Sequence, residues 1–308
     1  MVEIWRMGST RQEARNAAAR LFRDAGIATP ELDARILLCA AADISHEAFI
    51  ADPARAMAPD EAARFSPMVE RRLVGEPVSR ICGKREFYGR MFQIDADVLD
   101  PRPDTETLID TVVEIADAEG WRERQLAIAD LGTGSGAILI TLLAELPLAH
   151  GVGLDLSPEA LAVAAGNADR LGVGGRARFL KGDWLNGLAS ERFDLIVANP
   201  PYIPTHQIAR LPIEVKDCDP HLALDGGGDG LDAYRRIAQG AAMALRPGGR
   251  IVLEIGTDQA PAVSGLLREN GFGLNGETSV RRDLSGRARC LLAGLPGLAR
   301  ACGPLFSR

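Results

Sequence analysis

From about residue 107 onward, short apolar runs alternate with stretches of helical spacing, and this alternation fixes the fold class. LAIADL (126–131), GVGLDL (151–156), ARFLKGD (177–183), FDLIVAN (193–199) and GRIVLEIG (249–256) read as strands. Helical patterns fill 136–146, 158–171 and 231–245, and ARCLLAG (288–294) reads as a last strand. Strands alternating with helices predict an α/β fold, with a parallel sheet covered on both faces.

The first 80 or so residues read differently. Thr29-Pro30-Glu31 is a helix start, with a capping hydroxyl, Pro at the first helical position and an acid in the first turn. Gly26 and Gly75 close helices. No polar cluster there suggests chemistry, so a small helical bundle for recognition or docking is expected. Phe87, Tyr88, Phe92 and Ile94 stand among turn residues and predict a short β-hairpin joining two domains. In Pro101-Arg102-Pro103-Asp104-Thr105-Glu106, Thr105 or Asp104 is expected to cap a helix beginning near Glu106. The division expected is a helical docking domain (1–82), a hairpin linker (83–100), a catalytic domain (101–296) and a tail without functional signal (297–308).

Composition narrows the classes of partner. A net charge of −7 over 308 residues counts against long nucleic acid, which is gripped by basic surfaces. Arg71, Arg72, Arg80, Lys84, Arg85 and Arg90 crowd one stretch, either as a local basic patch or as a solvated helix face and linker. The five cysteines (Cys39, Cys82, Cys218, Cys290, Cys302) form no C-x-x-C pair, which argues against a zinc site or a disulfide framework. His46, His150, His206 and His221 show no metal-ligand spacing, so no metal is expected. No run reaches membrane-spanning length, and MVEIWRMGST lacks the apolar segment of a signal peptide. A cytoplasmic monomer without membrane or stable nucleic-acid partners is expected.

The first strand leads into Asp130-Leu131-Gly132-Thr133-Gly134-Ser135-Gly136. Glycines here let the chain turn tightly and let a ligand approach the main chain. Such a ligand lies at the carboxyl ends of the strands, where the sheet order reverses. Asp155, ending the next strand, is placed to accept both hydroxyls of a ribose. The spacing is G-x-G-x-G rather than the G-x-G-x-x-G of dinucleotide sites. Asp130 ahead of the loop favours a cationic ligand over a pyrophosphate, and S-adenosylmethionine fits. Asp183 is positioned to accept from an adenine amino group. Trp184 either lies against the ring or simply packs in the core.

Asn199-Pro200-Pro201-Tyr202 follows the strand FDLIVA, at the same edge of the sheet. The Asn199 side-chain oxygen and the Pro200 carbonyl can together accept the two hydrogens of an NH₂ group. Pro200 and Pro201 restrict the backbone and so fix that carbonyl. Tyr202 offers an aromatic face for a flat amide or base. Two acceptors aimed at its hydrogens raise electron density on a delocalised nitrogen and hold it in line with a methyl donor. Asn199, Pro200 and Tyr202 are therefore the catalytic candidates, in a Rossmann-like class I S-adenosylmethionine-dependent methyltransferase domain.

These residues resemble the release-factor glutamine methyltransferase (HemK/PrmC) family. The resemblance rests on PVSRICGKREFYG (77–89), PRPDTE (101–106), DLGTGSG (130–136), DLSPEAL (155–161), NPPYIP (199–204), ALDGGGDGLDAYRRI (223–237) and LRPGGRIVLEIG (245–256). It implies methylation of the side-chain amide nitrogen (N5) of the glutamine in the Gly-Gly-Gln motif of peptide-chain release factors. It implies that Gly132 to Gly136, Asp155, Trp184 and Asn199 contact the cofactor, that Asn199 to Tyr202 hold the glutamine, and that the helical domain helps dock the factor. Asp100, Asp104, Asp219 and His221 depart from the residues usual in the family.

The tetrad is shared with adenine-specific DNA methyltransferases, so an N6-adenine methyltransferase is the first alternative. An NAD-dependent oxidoreductase and a non-catalytic adaptor are the others. DGGGDG (225–230) lacks the downstream glutamate of an EF-hand and reads as a mobile loop bordering the substrate. Glu254 either borders the same pocket or is a sheet-edge acid.

Overall fold

The computed structural model describes residues 9–186, 188, 192–274, 279–283 and 285–296; the tail (297–308), with Cys302, lies outside them. The chain divides into two units, Met1–Lys84 with Pro212–Cys218, and Arg85–Leu211 with Asp219–Arg308.

The first unit holds α1 (Arg11–Asp24), α2 (Pro30–Ala42), α3 (His46–Ala51), α4 (Pro59–Leu73) and α5 (Val78–Cys82). Thr10 opens α1 with a reciprocal cap: its hydroxyl oxygen accepts from Glu13 N at 3.2 Å, and Glu13 Oε2 accepts from Thr10 N at 2.8 Å. Apolar residues at helical spacing, including Ala14, Ala18, Phe22, Leu37, Leu38, Phe65 and Val69, form one core. Arg72 is buried and donates to Asp33 at 2.7 Å, and it also pairs with Glu214 of the late segment at 2.6 Å.

The second unit opens with a hairpin, β1 (Lys84–Phe87) and β2 (Arg90–Gln93). There follow α6 (Glu106–Glu119), β3 (Ala127–Leu131), α7 (Ala137–Glu145), β4 (His150–Asp155), α8 (Pro158–Arg170), β5 (Ala177–Lys181) and β6 (Phe193–Ala198). Two short helices, α9 (Thr205–Ile208) and α11 (His221–Leu224), separated in sequence by α10 (Ile213–Lys216) of the first unit, precede α12 (Asp232–Ala244), β7 (Leu245–Glu254), α13 (Ala260–Glu269), β8 (Val280–Arg282) and β9 (Ala288–Gly294). The seven strands lie in the order β5-β4-β3-β6-β7-β9-β8, parallel except for β9, which is antiparallel to both neighbours. Along β3, Ile128 faces one core with Leu139, Leu142 and Leu143, while Ala129 and Leu131 face the other with Tyr234 and Ile237. Each fully buried Leu or Ile contributes about 1.5–3 kcal/mol. The chain runs outward from β3 through β4 to β5, then returns to β6 on the other side of β3, so the strand order reverses between β3 and β6.

Several local expectations are corrected. Thr29 precedes α2 but does not cap it; its hydroxyl donates to Asp33 Oδ1 at 2.7 Å. Neither Asp104 nor Thr105 caps α6. A 3₁₀ turn at Pro103–Thr105 runs into that helix, so Thr105 has helical dihedrals rather than the extended backbone of a capping residue. The basic stretch is largely engaged with acids: Arg71 with Glu76, Arg72 with Asp33 and Glu214, Arg85 with Asp100, and Arg90 with Glu145. Helix α13 and strand β8 were not anticipated, nor was the association of Pro212–Cys218 with the helical unit.

Candidate active site

The loops after β3 and β6 meet where the strand order reverses, the position at which open α/β sheets bind ligands. A cavity of about 350 Å³ opens there, walled by Gly132, Gly134, Asp155, Asp183, Trp184 and Asn199 among others.

The glycine loop is held by strand β4. Gly132 N and Thr133 N both donate to Leu154 O at 2.9 Å. Gly132, Gly134 and Gly136 have φ of 72°, 52° and 80°, a region that disfavours side chains. At Gly136 a Cβ would stand 2.7 Å from Ile140 Cδ1, whereas at Gly134 it would meet nothing within 4 Å. Gly136 is thus required for packing, and Gly134 leaves bare backbone on the cavity. Thr133, Ser135 and Asp130 are buried and lie behind the wall. The Thr133 hydroxyl donates to Asp130 Oδ2 at 2.7 Å, while Asp130 Oδ1 has no partner among the described residues. Burial pushes the Asp130 carboxyl up to about 7, against the Thr133 and Leu139 N–H hydrogen bonds.

Asp155 Oδ2 accepts from Gly134 N at 2.9 Å and Oδ1 from Ser157 N at 3.0 Å. Each oxygen keeps a further acceptor position, and Asp155 lines the cavity. Across it, Asp183 pairs with Arg236 of α12 through Oδ2. Its Oδ1 is buried without a partner among the described residues, on a residue that lines the cavity. Trp184 is held at φ 55° and also lines the wall. A diol acceptor, an unfilled acceptor and an aromatic side chain together fit a nucleoside with a free exocyclic amino group.

Within the tetrad, Asn199 and Pro201 line the cavity, Pro200 is buried, and Tyr202 is partly buried against the core. Asn199 Nδ2 donates to Thr105 Oγ1 at 3.2 Å, and no described residue donates to Asn199 Oδ1. Burial, then the Glu254 charge, push the Tyr202 hydroxyl up to about 12, so it stays protonated. Gln259 fastens the next stretch: its Nε2 donates to Tyr202 O at 3.0 Å and Gly230 O at 3.1 Å, while its Oε1 accepts from Gly256 N at 3.0 Å.

The loop 225–230, expected as a mobile loop bordering the substrate, places Asp225 on the cavity wall and is hydrogen-bonded to the stretch after the tetrad. Gly226 N donates to Ile203 O at 2.9 Å, and Thr205 N to Gly227 O at 2.9 Å. A Cβ on Gly226 would stand 2.8 Å from Pro201 O, so the glycines let this loop press on the tetrad backbone. Glu254 does not line the cavity; it is buried, beside Thr105. Two of the unusual acids, Asp100 and Asp219, fall in one cluster with Arg102, and a third, Asp104, pairs with Arg289 at 2.8 Å. Thr105, Gln259 and Arg289 were missed by the sequence reading; only PRPDTE, directly ahead of α6, signalled any of them. Among the described residues, no His, Cys, Asp or Glu cluster of three or more is placed to hold a metal, and no helix is long and apolar enough to cross a membrane.

Comparison with known proteins agrees with this architecture. A family model described as PrmC N-terminal domain matches residues 13–83, and one described as methyltransferase domain matches 122–264. The chain is 47% identical over 291 residues to the release factor glutamine methyltransferase of Cereibacter sphaeroides, covering 92% of this chain and 98% of that one. It is 45% identical over 286 residues to that of Bradyrhizobium diazoefficiens, covering 93% and 95%. A methyltransferase structure from Pyrococcus furiosus shares the fold, with TM-score 0.50 at 14% identity, over 75% of this chain and 99% of that one. Similar to these relatives along nearly its whole length, the chain belongs to the release factor glutamine methyltransferase family.

Proposed function

We propose that this protein methylates the side-chain amide nitrogen (N5) of the glutamine in the Gly-Gly-Gln motif of peptide-chain release factors, using S-adenosylmethionine. The observation that carries the reading is the Asn199 carboxamide: the residue lines the cavity, and its Nδ2 is taken up by Thr105, which leaves Oδ1 as its acceptor. Asn199 Oδ1 and the Pro200 carbonyl receive the two N–H groups of the substrate amide. Held this way, the nitrogen keeps its lone pair directed at the methyl donor, so the residues work by position and electrostatics rather than as bases.

Asp155 takes the ribose hydroxyls, Asp183 Oδ1 the adenine amino group, and Trp184 the ring face. Gly132 and Gly134 bring the main chain close to the ligand. When bound, S-adenosylmethionine supplies a methyl group on positively charged sulfur. The carboxylates on the cavity wall, Asp155 and Asp183, suit a cationic ligand. The helical unit serves in docking the release factor, and a cytoplasmic monomer suits a protein substrate of translation.

The test is transfer of labelled methyl from S-adenosylmethionine to a purified release factor, to its Gln→Ala variant at Gly-Gly-Gln, and to duplex DNA and structured RNA. Label on the wild-type factor alone supports the reading. Label on nucleic acid alone would overturn it in favour of an N6-adenine methyltransferase.

A further inference from the structure

Asn199 has a carboxamide whose oxygen and nitrogen are nearly equal in size, so something must fix which one faces the substrate. If nitrogen faced the cavity, it would repel the N–H groups of the substrate amide. The residue that decides is 94 positions away: Thr105 Oγ1 accepts from Asn199 Nδ2 at 3.2 Å. Thr105 is itself buried, at the junction of the 3₁₀ turn and α6. A hydroxyl has one hydrogen. To accept from Asn199 reliably, Thr105 must send that hydrogen elsewhere, and the group beside it is the Glu254 carboxyl. Glu254 ends β7, is 1% exposed, and keeps Oε2 without a partner among the described residues.

We propose that Thr105 and Glu254 are positioning residues: Glu254 takes the Thr105 hydrogen, Thr105 takes the Asn199 N–H, and Asn199 Oδ1 is thereby locked toward the substrate amide. The chain of contacts explains why a carboxylate is buried at a place where it touches no cavity. It rests on the reading that Asn199 holds the substrate amide, and it adds the device that sets the amide's orientation.

The same chain carries a pH dependence. Burial pushes the Glu254 carboxyl up to about 7. Above that pH the carboxylate accepts from Thr105; below it, the protonated acid competes to donate to the same oxygen. The other groups felt there are Arg289 and Cys290 on β9, Arg102 and Asp104 ahead of α6, Tyr202 after β6, and Tyr234 on α12, whose hydroxyl donates to Glu254 O at 2.9 Å. A Glu254→Gln variant separates the carboxyl from all of these.

The experiment compares wild type, Thr105→Val, Thr105→Ser and Glu254→Gln in the full chain. With release factor as substrate, Thr105→Val should lower kcat on the order of 30–100-fold with the KM for S-adenosylmethionine little changed, as expected for a misdirected contact. Thr105→Ser should recover to within about threefold, because the hydroxyl is restored. The wild-type kcat should rise with pH through about 7, and Glu254→Gln should lack that limb. In parallel, the Asn199 side-chain NH₂ signals, identified by their loss in Asn199→Asp, are followed by ¹⁵N NMR on the free protein. They should be exchange-protected and move with pH in wild type, be protected but pH-independent in Glu254→Gln, and be unprotected in Thr105→Val. Equal kcat in Thr105→Val and wild type, or Asn199 signals indifferent to both substitutions, would overturn the proposal. The NMR arm needs no substrate, so it still decides if the glutamine assignment itself fails. If Thr105→Val does not fold, the Glu254→Gln and wild-type titrations decide alone.

Discussion

Gly134 N donates to Asp155 Oδ2 at 2.9 Å, so the carboxylate that faces the cavity also pins the loop across from it. Asp155 anchors the loop, and in the proposed site it is also the acceptor for the ribose hydroxyls. Replacing it with alanine removes a charge-assisted acceptor, an interaction of about 1.5–3 kcal/mol. Calorimetric titration with S-adenosylhomocysteine should show affinity about 10- to 100-fold weaker. Unchanged affinity would remove Asp155 from the nucleoside site.

Gly136→Ala should be destabilising rather than neutral. Its φ of 80° is unfavourable for a side chain, and the new Cβ would sit 2.7 Å from Ile140 Cδ1 and 3.2 Å from Ala164 Cβ. The combined cost is about 1–3 kcal/mol, read as a fall in Tm by thermal unfolding. Gly134→Ala meets open space and should cost less stability while impairing cofactor binding.

The contribution of Asp130 to stability should fall as pH rises through the acid range. Its folded carboxyl titrates at about 7, against 3.8 for the ordinary group. Between those values the folded state holds a proton that the unfolded state has released, so this group's contribution declines with pH and is gone above about 7. The full effect of one such group is of the order of 4 kcal/mol. Asp130→Asn should show a smaller drop in Tm between pH 5 and pH 8 than wild type. A parallel pair of curves would contradict the assignment.

Arg72 joins Asp33 and Glu214 in the helical unit, and Asp33 is itself buried. Arg72→Met leaves a buried carboxylate without its cation and should cost about 3–5 kcal/mol in denaturant unfolding. Adding Asp33→Leu should recover part of that loss. If the double variant is no more stable than the single, the pair is not coupled in this way.

The parallel sheet and its two edge loops were legible because their signals are local. A glycine loop must follow its strand directly, and Asn199-Pro200-Pro201-Tyr202 adjoins the apolar run that positions it. What escaped was long-range. Thr105 reads as a helix cap in sequence, and only the fold brings it to Asn199. Gln259 fastens Tyr202 from 57 residues away and carries no motif. The 225–230 glycines suggest freedom, yet Gly226 and Gly230 lie against the backbone of Pro201 and Tyr202 and leave no room there for a side chain. Pro212–Cys218 joins the helical unit through Arg72 and Glu214, a pairing that no periodicity announces.

The most direct test of the central claim is tandem mass spectrometry of a release factor after reaction with S-adenosylmethionine and either wild-type or Asn199→Ala enzyme. The account predicts a single methyl on the side-chain nitrogen of the Gly-Gly-Gln glutamine with wild type, and at least about 100-fold slower appearance with Asn199→Ala. A methyl on any other residue, or undiminished modification by Asn199→Ala, would contradict it.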